Sequence, residues 1–232
     1  MKYYRLFRSI DPKVNGRDPQ ISELITSTSM LSPNFAGNLS YNRATSATDI
    51  PKGILHSKAK LTDLLTADIM GVEYYISGRL KRILESGECD GVEFLPTNII
   101  AKDKELDDYW VLNPYQTNYP FLDVEQTAFA HMDFMQDIVR REVAFKTVEE
   151  FFKAWEENKK KDQALGTQFD KCEPLYIRTI AIRHNSNIDF FSLRPIRPGW
   201  NGYFVSENMK EKIEAAECTG MVFRELNGPL FD

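Results

Sequence analysis

The stretch Tyr74-Tyr75-Ile76-Ser77-Gly78-Arg79-Leu80-Lys81 returns as Tyr203-Phe204-Val205-Ser206-Glu207-Asn208-Met209-Lys210, at an offset of 129 residues. The match continues without a gap to Phe94 and Phe223, and 8 of the 21 columns are identical: Tyr, Ser, Lys, two Glu, Cys, Gly and Phe. Most other columns exchange like for like, as in Ile76 with Val205, Leu80 with Met209 and Leu84 with Ile213. Self-similarity of this kind marks one supersecondary unit used twice.

The local chemistry of each copy predicts strand, helix, strand. An aromatic and β-branched tripeptide ends at Ser77 or Ser206, whose hydroxyl is suited to cap the free amides of a following helix. Leu80, Ile83 and Leu84 then recur at helical spacing, as do Met209, Ile213 and Ala216, giving each helix of about three turns one apolar stripe. Lys212 replaces Ile83 and narrows the second stripe. Gly91 and Gly220 permit the turn into short strands at Val92-Glu93-Phe94-Leu95 and Met221-Val222-Phe223-Arg224. Phe94 and Phe223 are expected in the core. Cys89 and Cys218 share a column just after their helices and read as small packing residues. Lys81 with Glu85, and Lys210 with Glu214, are helix-face pairs four residues apart.

Outside the units, Lys2 to Arg8 alternates aromatic and basic residues as a strand does. Residues 11–52 are rich in Ser, Thr, Asn and Gly with scattered prolines, and read as long loops with one short helix. Tyr109-Trp110-Val111-Leu112 is a strand stopped by Asn113-Pro114. Thr147-Val148-Glu149-Glu150 is a capping box that opens a helix to about Lys160. Leu175 to Arg183 and Ile188 to Leu193 read as a hairpin about Asn185-Ser186-Asn187. The expected fold is α+β: one domain over 1–232, a mixed or antiparallel sheet with packed helices, and repeat units over about 61–100 and 188–227.

Composition excludes several classes. Hydrophobic residues make up 42% and charged residues 27%, so the chain has the material for a core and is not disordered. It has 29 basic against 34 acidic residues, and Lys159-Lys160-Lys161 is its one sustained basic run, so nucleic acid is a poor partner. The charged opening residues and the absence of a long apolar stretch predict a cytoplasmic protein without a membrane span. Cys89, Cys172 and Cys218 are odd in number and widely spaced, and read as reduced, mostly buried thiols.

No signature of catalysis or of a cofactor appears. His56, His131 and His184 stand in unrelated contexts without metal-ligand spacing, and there is no phosphate-binding glycine loop. Material for binding another protein is present. Asp103, Glu105, Asp107 and Asp108 form a carboxylate cluster read as a loop, close in sequence to Tyr115, Tyr119 and Phe121. Arg197-Pro198-Gly199-Trp200-Asn201-Gly202 adds a second aromatic turn, and Tyr, Trp and Arg are common anchors of interfaces.

Tyr75-Ile76-Ser77-Gly78-Arg79-Leu80-Lys81 with Gly91-Val92-Glu93-Phe94-Leu95-Pro96, then Tyr109-Trp110-Val111-Leu112-Asn113, and Phe204-Val205-Ser206 with Gly220-Met221-Val222-Phe223, form a combination that resembles bacterial polymorphic-toxin immunity family eleven. That family is a former domain of unknown function, also described as a myxobacterial-type immunity domain. The resemblance covers most of the chain from about Leu61 onward. It implies a non-catalytic protein that binds and neutralises a cognate toxin, and it transfers no interface residues, because the matching columns are structural. The carboxylate cluster, Tyr115, Tyr119 and Trp200 are the expected contacts. The alternative is an enzyme or small-ligand binder with a site between the two units.

Overall fold

The computed structural model describes residues 2–39, 42–69, 71–115, 120–133, 138–165, 171–183, 187–197 and 200–226. The opening alternation forms β1 (Tyr3–Arg8), and α1 (Pro12–Asn15) follows, opened by proline and capped by Asp11, which accepts from the Lys13 amide. The segment expected to be loop-rich carries a strand as well: β2 (Ile21–Ile25) pairs antiparallel with β3 (Lys52–Leu55). β2 lies at a sheet edge and leaves Ser22 and Glu23 in solvent, so it reads as polar while Ile21 is fully buried. Between them a 3-10 turn spans Ala36–Asn38.

β4 (Leu64–Ile69), β5 (Val72–Ser77), α2 (Gly78–Leu84), β6 (Cys89–Asp90), β7 (Val92–Ala101) and β8 (Lys104–Pro114) come next. β7 and β8 form a long hairpin, so the expected short strands at Val92 and Tyr109 are parts of much longer ones, and Asn113-Pro114 lies within β8. Then come β9 (Ala128–Met132), β10 (Val139–Val143), α3 (Val148–Leu165), β11 (Leu175–Thr179), β12 (Phe190–Arg197), β13 (Trp200–Ser206), α4 (Glu207–Ala215) and β14 (Met221–Glu225). Thr147 Oγ1 accepts from the Glu150 amide and caps α3, which extends past Lys160 to Leu165. The described residues are mixed α and β, mostly sheet.

The strands form three sheets, ordered β2-β3-β7-β8-β5-β4, β14-β1-β13-β12-β6 and β10-β9-β11. The first rolls until its edges meet. The Gln20 amide donates to the Thr66 carbonyl at 3.0 Å, and the Thr66 amide donates to Gln20 Oε1 at 3.3 Å. Ile21, Phe35, Leu65, Tyr75, Leu95, Ile99 and Val111 fill the interior. The second sheet lies between two layers. On one face Leu6, Phe190, Tyr203 and Val205 pack against Tyr74, Ile76, Leu80 and Leu112 of the first sheet and its helix, together with Met209 and Ile213 of α4. On the other, Tyr3, Phe191, Leu193 and Phe204 pack against Phe129, Leu175, Ile177 and the α3 residue Phe151.

The hairpin expected between Leu175 and Leu193 does not form. β11 pairs with β9, and β12 pairs with β13 and β6. Leu175 and Ile177 face Phe191 and Leu193 across a shared core, so burial places these strands in opposite layers and not side by side. Asn185 and Ser186 lie outside the described residues.

Ser77 and Ser206 both cap their helices: Ser77 Oγ accepts from the Leu80 amide at 3.2 Å and Ser206 Oγ from the Met209 amide at 3.1 Å. α2 and α4 have 7 and 9 residues, shorter than the expected three turns. Phe94 and Phe223 are half-buried, a correction to the expectation of core positions. Each lies beneath a lysine: Lys81 Nζ is 5.6 Å from the Phe94 ring and 5.2 Å from the Trp110 ring, while Lys210 Nζ is 5.8 Å from Phe223 and 5.2 Å from Tyr4. Phe94→Ala and Phe223→Ala are therefore expected to cost about 1.5 to 2.5 kcal/mol each, roughly half the range for a fully buried ring. Urea unfolding of both variants checks this, and a loss above about 4 kcal/mol would show rings that carry the core.

Candidate partner-binding surface

The carboxylate cluster lies on the β7–β8 hairpin. Asp103 occupies the turn with φ of 64°, next to Lys102 at 48°, a left-handed pair that reverses the chain. Glu105, Asp107 and Asp108 follow on β8, which corrects their reading as loop residues. The register explains why so many acids fit on a strand. Thr97 pairs with Tyr109 and Ile99 with Leu106, so β8 carries one extra residue opposite β7. This bulge turns both Leu106 and Tyr109 toward the first sheet's core and leaves both Asp107 and Asp108 in solvent.

The four carboxylates are not equivalent. Lys52 Nζ and Asn98 Nδ2 both donate to Glu105 Oε1 at 2.5 Å, and these bonds hold its carboxyl below the usual range. Asp108 lies 3.8 Å from Arg82 and against Gly78, where a Cβ would sit 2.0 Å from its Oδ1. It thus places negative charge beside the start of α2, as Glu207 does in the first turn of α4. Asp103 and Asp107 make no ion pair among the described residues. Lys102 and Lys104 share the tip and halve its charge.

Tyr115 lies at the other end of β8. Eleven residues of strand separate it from Asp103 at the turn, roughly 40 Å at the usual rise, and six separate it from Asp108, roughly 23 Å, so Tyr115 stands apart from the hairpin tip. Tyr115 is half-buried, with the Arg43 guanidinium 4.1 Å from its ring and Arg43 Nη2 donating to its hydroxyl at 2.5 Å. Glu93 Oε1 joins this end by accepting from the Ala44 amide at 2.6 Å and from Asn113 Nδ2 at 2.7 Å. Local sequence carries no sign of Arg43 or Lys52 at these places, because each is supplied by a segment more than fifty residues away. Tyr119 lies outside the described residues. Trp200 opens β13, opposite Arg197.

The place proposed for a small-molecule site, between the two units, is a packed apolar core. Tyr74 and Tyr203 meet there edge to face at 5.6 Å, flanked by Leu80, Leu84, Met209 and Ile213, all nearly or fully buried. The thiols at its rim are half-buried. Burial, with Glu85, Asp189 and Glu88 nearby, pushes Cys89 up to about 12. Burial and Asp63 push Cys218 up to about 11. Both are protonated at neutral pH and poor nucleophiles.

A polar clamp ties the units together and has no local signature. Asp63, nearly buried, accepts from Ser77 Oγ at 2.7 Å, from Arg79 Nε and Nη2 at 3.0 and 2.6 Å, and from the Thr219 amide at 2.8 Å. Asp189 accepts from Ser206 Oγ at 2.5 Å and from the Glu88 amide at 3.3 Å. Each aspartate thus braces one capping serine and reaches the loop after the other unit's helix. The two stand 14 and 17 residues before their serines, a difference that hides them from an ungapped comparison.

No curated protein matches the sequence. Among protein-family models, that of the immunity protein family Imm11 matches residues 9–147. The matched span holds the first sheet, the acidic hairpin and the loops about Arg43. It takes in residues 9–60, ahead of Leu61 where the resemblance begins, and stops short of the C-terminal stretches that contribute to it. With more than half of its length matched, the chain belongs to the Imm11 immunity protein family.

Proposed function

We propose that the chain neutralises a cognate bacterial toxin of a polymorphic-toxin system by binding it in the cytoplasm, without catalysis. The observation that carries this reading is the family match over residues 9–147, whose span contains an exposed hairpin with two carboxylates uncommitted to ion pairs among the described residues. Asp103 and Asp107 are available to a basic partner, and Glu105 and Asp108 become so when a stronger cation displaces Lys52 or Arg82. Tyr115 supplies an aromatic contact at the other end of β8, so a toxin that touches both it and the tip spans most of the length of that strand; Tyr119 and Trp200 are proposed as further contacts.

The two units are read as copies of one element. Ile76, Trp110 and Pro96 share a row across β5, β8 and β7, as Val205, Tyr4 and Glu225 do across β13, β1 and β14. Leu64 opposite Ile76, and Phe190 opposite Val205, extend the correspondence to β4 and β12. With the buried columns among these committed to packing, partner choice falls to the surfaces around them.

The test is binding to the toxin encoded beside the gene, and survival when that toxin is expressed. Asp103→Asn with Asp107→Asn is expected to weaken binding about tenfold, with the association rate more affected and the effect shrinking in high salt. A folded double variant that binds and protects like wild type removes the hairpin from the interface. A wild-type chain that neither binds nor protects overturns the immunity reading for that toxin.

A further inference from the structure

We propose that the outer edge of β14 receives an extended segment of the toxin as an added strand, an inference that rests on the immunity reading and names a contact outside the acidic hairpin. Among the described residues β14 pairs with β1 alone, at the end of its sheet. The Ser9 amide donates to the Gly220 carbonyl and the Leu226 amide to the Tyr3 carbonyl, at 2.9 and 3.1 Å. Antiparallel ladders alternate, so Val222 and Arg224 also turn their backbone groups toward β1. Met221, Phe223 and Glu225 turn theirs outward.

The corresponding edge in the first unit is closed by two devices that β14 lacks. The Tyr115 amide donates to the Gly91 carbonyl at 2.9 Å, which by the same alternation directs Val92, Phe94 and residue 96 outward from β7. Residue 96 is proline and has no amide to offer, a common way to blunt a sheet edge. Further along, β3 pairs in parallel with Ile99 and Ile100. β10, another edge strand, is guarded by exposed Arg140, Arg141 and Glu142. β14 presents Met221-Val222-Phe223 ahead of exposed Arg224 and Glu225, with Val222 42% exposed and its neighbour Phe7 half-buried beneath Arg224 at 4.8 Å.

The occupant is a segment of a larger partner and not a second copy. Five residues of edge extend roughly 17 Å, far too little contact for a stable dimer, which needs on the order of 1,200 Å² or more. A toxin held elsewhere on the surface gains from three additional backbone donors and acceptors. The matching segment carries an apolar side chain opposite Val222 and a carboxylate opposite Arg224, because directly opposed residues share a face.

The experiment is amide hydrogen exchange on the full chain, alone and with the neighbouring toxin, joined to binding measurements on Glu225→Pro. This substitution places in the second unit the residue that the first already carries at that column as Pro96, so the fold accommodates it. In the free chain the amides of Met221, Phe223 and Glu225 are expected to exchange faster than those of Val222 and Arg224, and to gain protection on binding. Glu225→Pro is expected to bind about tenfold more weakly with unchanged unfolding. Toxin binding with unchanged exchange at these amides and full affinity of the proline variant overturns the strand addition while leaving the immunity reading intact. Protection already present in the free chain, or arising when it is concentrated alone, overturns it in favour of the chain's own segment or a second copy. Failure of wild type to bind overturns both readings for that toxin.

Discussion

Asp63→Ala is expected to destabilise the protein by about 2 to 4 kcal/mol, the range for breaking a buried, multiply bonded carboxylate. Arg79 is half-exposed, so its freed charge returns to water at little cost. The loss comes from the buried Ser77 hydroxyl and the Thr219 amide, which lose their acceptor. Burial raises the Asp63 pKa, but hydrogen bonds from Arg79, Ser77 and Thr219, with the Arg79 charge, outweigh it and hold the carboxyl below its ordinary value. A depressed pKa contributes stability that is present above the unfolded value of about 4 and is lost as pH falls through the folded value. Denaturant unfolding of wild type and Asp63→Asn between pH 7 and pH 2 is therefore expected to show a gap that narrows below about pH 4. A gap that is constant with pH would show that ionised Asp63 contributes nothing, and the clamp would then be ordinary packing.

Removal of residues 2–9 is expected to abolish folding of the second sheet and to leave no cooperative transition for the whole chain. β1 lies between β13 and β14, with Tyr4 paired to Val205 on one side and Glu225 on the other. It also contributes Tyr3 to one core and Leu6 to the other. Without it β14 has no partner among the described residues and Tyr203 loses Leu6, one of its two cross-strand neighbours. Near-ultraviolet circular dichroism and urea unfolding report the loss, and a synthetic peptide of residues 2–9 added in trans is expected to restore part of the signal. A truncated chain that unfolds with the wild-type midpoint would show that the C-terminal unit stands without the N-terminal strand.

Features encoded by neighbouring residues were legible in the chain alone. Ser77 and Ser206 cap helices because a hydroxyl three residues before an amide has a partner within reach, whatever the rest of the molecule does. The β1 alternation, the aromatic strands before the serines and the Thr147 cap belong to the same class. Family resemblance was legible too, although its matched span lies nearer the N-terminus than the quoted motifs placed it. Strand pairing was not legible, because a row of alternating apolar residues states which face is buried and not what buries it. β11 and β12 illustrate this: consecutive strands that read as a hairpin occupy opposite layers across Phe191 and Leu193. The candidate surface divides in the same way. The composition of Asp103 to Asp108 was visible as a cluster, but the bulge that exposes both Asp107 and Asp108, the distance to Tyr115, and the arrival of Lys52 and Arg43 depend on segments that meet only after the sheet has rolled. Caps and alternation are settled within about four residues of backbone, whereas edges, registers and partners follow from burying three cores at once.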